Sequence, residues 1–292
     1  MKRVSAKSVS EVMQIVADAR KDWRIPEDAE LWFRGEDQKH KATTLQPKLY
    51  RHMPNSVRLA SISLLRQEQT FYDEFARRGL ELYGREADRW DWYFLMQHYS
   101  APTRLLDWTD GAMMALHFAT NGDLSSSQGG YLYILDPFWL VDELDKSPHL
   151  KTVKANWKSF RKYRNHKGLS SPGPWDTVYL PGRNRLRKRS HKPALPKVPL
   201  VLDFALMTRR VSAQHSRLIV MGTDRLWLRD CARKRDARII QIEIPKKRLR
   251  AIKVNLRDTG VSESAIFPDL DGLGRELCQL WDLIKGQKQF NK

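Results

Sequence analysis

The sequence predicts an α+β fold with a mixed, mainly antiparallel central sheet flanked by helices. Three observations carry that class. Segments with apolar residues at helical spacing recur, among them 9–23 with Val12, Ile15, Val16 and Ala19, and 56–78 with Leu59, Ile62, Leu65, Tyr72 and Phe75. Short apolar runs of strand length are interspersed with them, at 31–35, 131–136, 177–180, 200–204, 218–221 and the alternating, half-exposed 238–244. The glycine loops that open parallel nucleotide-binding sheets are missing from the sequence, as are H-E-x-x-H and paired C-x-x-C motifs.

Each element has a local cause. Ser8 and Glu11 have capping-box spacing for the first helix, and Pro26 keeps the chain beyond it from continuing as helix. The strand Leu31–Gly35 ends in Arg34 and Gly35, where a cation beside a residue without a Cβ suits an approaching anion. Residues 45–51 form a basic, semi-rigid segment. Asp91 is placed to cap a helix over 92–97. Ala101-Pro102 predicts a turn, from the fixed φ of proline and its effect on the residue before it. Arg104 and Asp107 lie inside an apolar run, where charges are costly to bury unless paired or used, so they read either as a buried Arg104–Asp107 clasp that fixes a loop under the helix 113–119 or as part of a functional site. Thr109 or Asp110 would cap that helix. Pro137 opens a short helix to 144, residues 226–235 read as helical, Pro245 opens a basic helix to about 256, and a last helix runs through Ile284. Gln214 and His215, just before a strand, are candidates to line a pocket.

The chain has 292 residues, enough for one large domain or two modest ones, and 41% of them are hydrophobic. No apolar run reaches the roughly 18 residues of a membrane span, and the basic N-terminus lacks the apolar segment of a secretory signal. Two distant cysteines, Cys231 and Cys278, argue for a reducing, cytoplasmic setting and against a metal site, and each reads as a small core residue. The net charge of +18 makes nucleic acid the first partner to consider and an anionic cofactor the second. Composition shifts over 146–197, where the run 182–193 carries Arg183, Arg185, Arg187, Lys188, Arg189 and Lys192. These six are candidate contacts to a phosphate backbone.

The motifs Trp32-Phe33-Arg34-Gly35, Leu45-Gln46-Pro47-Lys48, Gln97-His98-Tyr99, Pro102-Thr103-Arg104-Leu105-Leu106-Asp107-Trp108-Thr109 and Ala115-Leu116-His117-Phe118-Ala119 together resemble the FRG domain family, named for its Phe-Arg-Gly motif. Gln214 and the segment 262–273 extend the resemblance to about 28–275. An N-terminal helix at 1–27 and a C-terminal helix and tail at 276–292 flank it, and 146–197 is a basic insertion. Two positions depart from the family pattern: Ser100-Ala101, where Gly and an apolar residue are usual, and Gln214-His215-Ser216, where Gln-Gln-Gly is usual.

A weaker likeness is to ADP-ribosyltransferases, which share the order of an early aromatic-Arg-Gly strand, a strand leading into an Ala-x-x-Phe-Ala helix, and a late carboxylate. That likeness implies a split sheet, NAD as substrate and no metal. It assigns Arg34 as the pyrophosphate clamp, with Phe33, Gly35, Gln97, Arg104 and Gln214 around the cofactor. Thr109 is the ribose contact, Asp107 or Glu263 the acid, and His98, Gln97 and Gln214 orient substrate. Two functions are consistent with these resemblances. One is a transferase of the toxin or antiviral-defence type, acting from NAD on a macromolecule. The other is a non-catalytic module that binds nucleic acid or a nucleotide.

Overall fold

The computed structural model describes residues 1–37, 43–84, 87–121, 128–146, 179–181, 195–202 and 213–288. Seven described strands are β1 (Lys2–Ser5), β2 (Trp32–Asp37), β3 (Leu105–Thr109), β4 (Gly129–Leu135), β5 (Leu200–Leu202), β6 (Ser216–Val220) and β7 (Ile239–Pro245). They form one sheet in the order β1-β7-β4-β2-β3-β6-β5. β1 runs parallel to β7, and every other neighbouring pair is antiparallel. The sheet is thus mixed and mainly antiparallel. It is one sheet rather than two, and its thinnest seam lies between β2 and β3.

Helices cover both faces. On one face α1 (Val9–Trp23), α4 (Ala112–Thr120) and α7 (Leu249–Asp258) bury Val12, Leu116 and Ile252 against Phe33, Leu132 and Ile242. On the other, α2 (Ile62–Tyr83), α3 (Arg89–His98), α5 (Pro137–Asp145) and α6 (Trp227–Cys231) pack Tyr72, Tyr93, Leu140 and Leu228 over Trp32, Leu106 and Val220. Successive residues Trp32 and Phe33 belong to opposite cores, as the two-residue period of a strand requires. The short α8 (Glu263–Ile266) and the long α9 (Leu270–Lys288) close the chain.

Helix α4 lies directly on the sheet backbone. A Cβ at Gly35 would sit 1.9 Å from the Ala115 carbonyl oxygen, and one at Gly130 would sit 1.9 Å from that of Ala119. These two glycines on neighbouring strands make the seat of the helix. The close approach expected of an anion at Gly35 is therefore made by α4 instead.

Several elements differ from expectation for identifiable reasons. β1 carries no strand signal in the sequence, because its charged, largely exposed residues mark an edge strand. Leu105–Thr109, a loop if it served only as a clasp and a strand by the order of the weaker likeness, is a strand with five register pairs to β6. Helix α2 begins after Ser61, whose hydroxyl accepts from Leu64 N, and Leu59 lies outside it in a bridge to Asp224. Helix α3 is capped by Asp88, with Asp91 as the reciprocal member of the capping box. β7 is buried on both faces apart from Glu243 and Pro245, since helices and a second strand cover it. Residues 179–180 form a turn and bend rather than a strand. Cys231 is in the core, but Cys278 is exposed. The basic run 182–193 lies outside the described residues, as do 177–178 and 203–204.

Candidate active site at the seam between two strands

β2 and β3 share one register pair, Phe33↔Thr109, against six between β2 and β4. Past that pair the two strands part, and Arg34 occupies the gap. Its Nη1 donates to the main-chain oxygen of Asp107 at 2.6 Å, and its Nε donates to Glu36 Oε1 at 2.8 Å. Arg34 and Glu36 can meet because residues two apart on a strand share a face. A cavity of about 420 Å³ opens over this seam.

Glu36 is buried and holds the site's cations in place. Oε1 accepts from Arg34 and, at 3.3 Å, from Arg51 Nη2, while Oε2 accepts from the Thr44 hydroxyl at 2.7 Å. Thr44 also bonds the Tyr133 hydroxyl, which in turn accepts from Gln241 Nε2 at 2.9 Å. Two guanidiniums thus share one carboxylate, and Asp37 and Asp107 line the same cavity. Burial, and then the nearby Arg34, lower the pKa of Arg51.

Asp107 presents its carboxylate to the cavity. Gln97 Nε2 donates to Oδ2 at 2.5 Å. The Gln97 amide is oriented from behind, since its oxygen accepts from the buried Thr103 hydroxyl, which accepts from Leu105 N at 3.1 Å. Asp107 is exposed at the cavity; desolvation by the surrounding protein nonetheless raises its pKa, against the opposing pull of Arg34 and Gln97. An accessible carboxylate fixed by Gln97 beside Arg34 is placed to act on a ligand in the cavity.

His98 and Ser100 follow Gln97 on the same wall. Ser100 has φ 61°, a left-handed conformation that favours glycine, and Lys48 Nζ donates to its carbonyl at 2.6 Å. His215 likewise has φ 49°. The Thr109 hydroxyl donates to the Gln214 carbonyl at 2.8 Å and accepts from Gly111 N at 3.0 Å. It ties the segment before β6 to the site. Asp110 does not cap α4, whose N-cap is Gly111; it bonds His215 Nδ1 at 2.9 Å and Arg217 Nη2 at 2.6 Å.

The cavity therefore gathers Phe33, Arg34 and Gly35 from β2, Gln97 and His98 from α3, Asp107 and Thr109 from β3, and Gln214. Two expected residues lie elsewhere. Arg104 is buried on the α2 side, where Nε bonds Glu68 Oε2 at 2.6 Å and Nη1 and Nη2 donate to the Met221 and Tyr179 carbonyls. The predicted clasp with Asp107 is replaced by this pair, because Arg104 precedes β3 and Asp107 points to the seam. Glu263 is buried beneath the rim, bonded to His117 Nε2 at 3.0 Å, Arg275 Nε at 2.7 Å and Asn121 Nδ2 at 3.2 Å. Burial pushes its pKa up, but His117 and Arg275 overturn this and hold it at about 2. Through the last of these bonds it holds Asn121, which lines the cavity. Arg183, Arg185, Arg187, Lys188, Arg189 and Lys192 lie outside the described residues.

Glu36, Arg51, Phe94, Asn121 and Phe267 also line the cavity, beyond the residues expected from the sequence. Glu36 does carry a signal, in its two-residue spacing from Arg34. Phe118 and Phe267 meet edge to face, with centroids 6.1 Å apart, and Arg275 lies 4.6 Å over Phe267. Among the described residues no group of three His, Cys, Asp or Glu could hold a metal, and no helix is long and apolar enough to cross a membrane.

The family model described as FRG domain matches residues 29–128. No curated protein and no solved structure matches the chain. The matched residues contain β2, α2, α3, β3 and α4, and so every cavity-lining residue from Phe33 to Asn121. Gln214, Ser216, Leu218 and Phe267 complete the cavity from outside the match.

Proposed function

The chain carries an FRG domain, and we propose that its cavity binds NAD and cleaves the nicotinamide–ribose bond, passing ADP-ribose to a macromolecule. The observation that carries this is the Arg34–Glu36–Arg51 group placed beside Asp107 in one cavity. Two guanidiniums on one carboxylate suit a pyrophosphate, which can take two forks at once. The aromatic rings of Phe118 and Phe267 offer an apolar wall for a base.

The chemistry asks little more of the protein. The C–N glycosidic bond breaks, and nicotinamide leaves with the bonding electrons as a neutral molecule. The ribose carbon passes through an oxocarbenium-like state, which the Asp107 carboxylate would stabilise. The acceptor nucleophile then bonds to that carbon and loses its proton to Asp107 or solvent. Gln97 holds the carboxylate in place, and His98 lies on the same wall for orientation. The net charge of +18 favours nucleic acid, or a protein associated with it, as acceptor, with the 183–192 run as its contact. A toxin or antiviral effector is the setting this reading suits.

The test is release of nicotinamide from NAD, followed chromatographically with candidate acceptors present. Wild type releases it, and Asp107→Asn loses about 100-fold or more while still binding NAD. Binding of NAD without release, in wild type, would favour a nucleotide-binding module. Binding of nucleic acid with no response to NAD would favour the other non-catalytic reading.

A further inference from the structure

Helix α9 is attached to the rest of the molecule by its polar face. Gly272, Arg275, Glu276 and Gln279, at i, i+3, i+4 and i+7, make that face. A Cβ at Gly272 would sit 2.0 Å from the Phe267 carbonyl oxygen, so the first turn lies directly on the chain before it. Arg275 Nε donates to the buried Glu263 at 2.7 Å. Glu276 Oε2 accepts from the Ser262 hydroxyl and from Ser264 N, both at 2.8 Å, and Gln279 Nε2 donates to Asn121 Oδ1 at 3.2 Å. A helix on a globular surface ordinarily turns its apolar stripe to the core and its polar face to water. α9 does the reverse.

Its other face carries Leu270, Leu273, Leu277, Trp281 and Ile284. All five are exposed, Leu270 by 86% and Leu277 by 58%. Steps of three and four residues keep them in one stripe along the helix. Together they present on the order of 500 Å² of surface, enough to mark an interaction face.

Three features of the stripe fit a second copy of itself. First, it is symmetric about Leu277. Leu273 and Trp281 lie about one turn to either side, and Leu270 and Ile284 about two. A two-fold contact needs this symmetry, because each residue must meet a partner that meets it in return. An antiparallel copy centred on Leu277 sets Leu277 on Leu277, Leu273 on Trp281 and Leu270 on Ile284. Second, the helix begins acidic on balance, with Asp271 and Glu276 against Arg275, and ends basic, with Lys285 and Lys288 against Asp282. Antiparallel copies bring the unlike ends together. Third, covering both stripes buries on the order of 1,000 Å², the size at which specific interfaces begin.

We propose that α9 pairs antiparallel with α9 of a second copy of this chain, about a two-fold axis at Leu277. The full chain, freed of nucleic acid, is followed by sedimentation velocity from about 1 to 100 µM. The expected result is a reversible dimer that added salt strengthens or leaves unchanged, because copies of net charge +18 repel while the stripe is apolar. Leu277→Glu sets two carboxylates face to face at the axis and should weaken the dimer roughly tenfold or more. Leu273→Glu should do the same, and since both positions are exposed, neither variant should melt earlier than the wild-type monomer. Cys278 is exposed beside the axis and Cys231 is buried, so a short bismaleimide should link wild-type dimers but not Cys278→Ser. In that Cys278→Ser background, Leu270→Cys should not link to itself, because antiparallel copies hold those ends about 20 Å apart. A monomer throughout, a dimer indifferent to both glutamate variants, or an association dissolved by salt, as one bridged by nucleic acid would be, overturns the pairing. Absence of the Cys278 link, or a link through Leu270→Cys, overturns the antiparallel arrangement. No step uses NAD, so the pairing stands or falls apart from the proposed reaction.

Discussion

Arg34 Nη1 reaches the main-chain oxygen of Asp107 at 2.6 Å, across the seam where β2 and β3 have parted. This side-chain bond stands in for a rung of the sheet ladder. It joins the residue best suited to hold an anion to the backbone of the residue best suited to work on one. The other end of the same guanidinium is held by Glu36, so its position is determined from two sides.

The seat of α4 predicts the largest structural effect of a small change. Gly35→Ala forces a methyl group into the Ala115 carbonyl and the Ala119 amide. Backbone cannot swing aside as a flexible side chain can, so the variant should lose about 3 kcal/mol or more. Denaturant unfolding of wild type and variant checks this, and a loss under about 1 kcal/mol would show that α4 can lift without cost.

Glu68 and Arg104 form a buried pair whose other polar groups are also satisfied, by the Tyr93 hydroxyl, Arg104 N and two carbonyls. Glu68→Ala leaves a buried cation unpaired and should cost about 3–5 kcal/mol. Arg104 lies away from the main cavity, so a milder Arg104→Lys variant that still folds should bind the cavity's ligand with wild-type affinity. Equilibrium unfolding and calorimetric titration separate the two effects.

Ser100 holds a left-handed conformation at the cavity wall. Ser100→Gly relieves that cost but frees the unfolded chain, and the balance should be a gain of about 1 kcal/mol. Thermal unfolding reads it. A destabilised variant would mean that the serine side chain contributes more than its backbone costs.

Two carboxylates should titrate with opposite signs. Glu263 is held at about 2, below its unfolded value, so its stabilisation is present above the ordinary carboxylate range and is lost as pH falls through about 2. Glu263→Gln should flatten stability against pH in that acid window. Asp107 has a raised pKa, so its ionisation works against folding as pH rises through and above the ordinary carboxylate range. Asp107→Asn should therefore unfold at a higher temperature than wild type at neutral pH while losing function, the usual exchange at a working site. Stability curves from pH 2 to 8 for both variants decide the two signs.

Much of this site is legible in the sequence because its residues sit at strand ends and turns with strong local signatures. Phe33-Arg34-Gly35 and Gln97-His98 line the cavity. Arg104 does not, because a one-dimensional run cannot tell which side of a coming strand a residue faces. Its true partner, Glu68, is 36 residues away on the inner face of a helix. Glu263 resembles a late catalytic acid in its place in order, yet its oxygens are taken up by His117, Arg275 and Asn121. β3 is hidden by its charged centre, since Asp107 breaks the apolar pattern that would have marked a strand. That break is the candidate functional residue itself.

Arg34 as the clamp on the phosphates of NAD is the centre of the proposed function. Thermal unfolding of the full chain with and without NAD, for wild type and Arg34→Lys, tests it most directly. Lysine keeps the charge but not the fork. A ligand that binds the folded state alone adds about 2.7 kcal/mol at roughly 100 times its dissociation constant. The expected result is a clear upward shift in wild type that is lost in Arg34→Lys. No shift in wild type at saturating NAD, or an equal shift in both proteins, would contradict it.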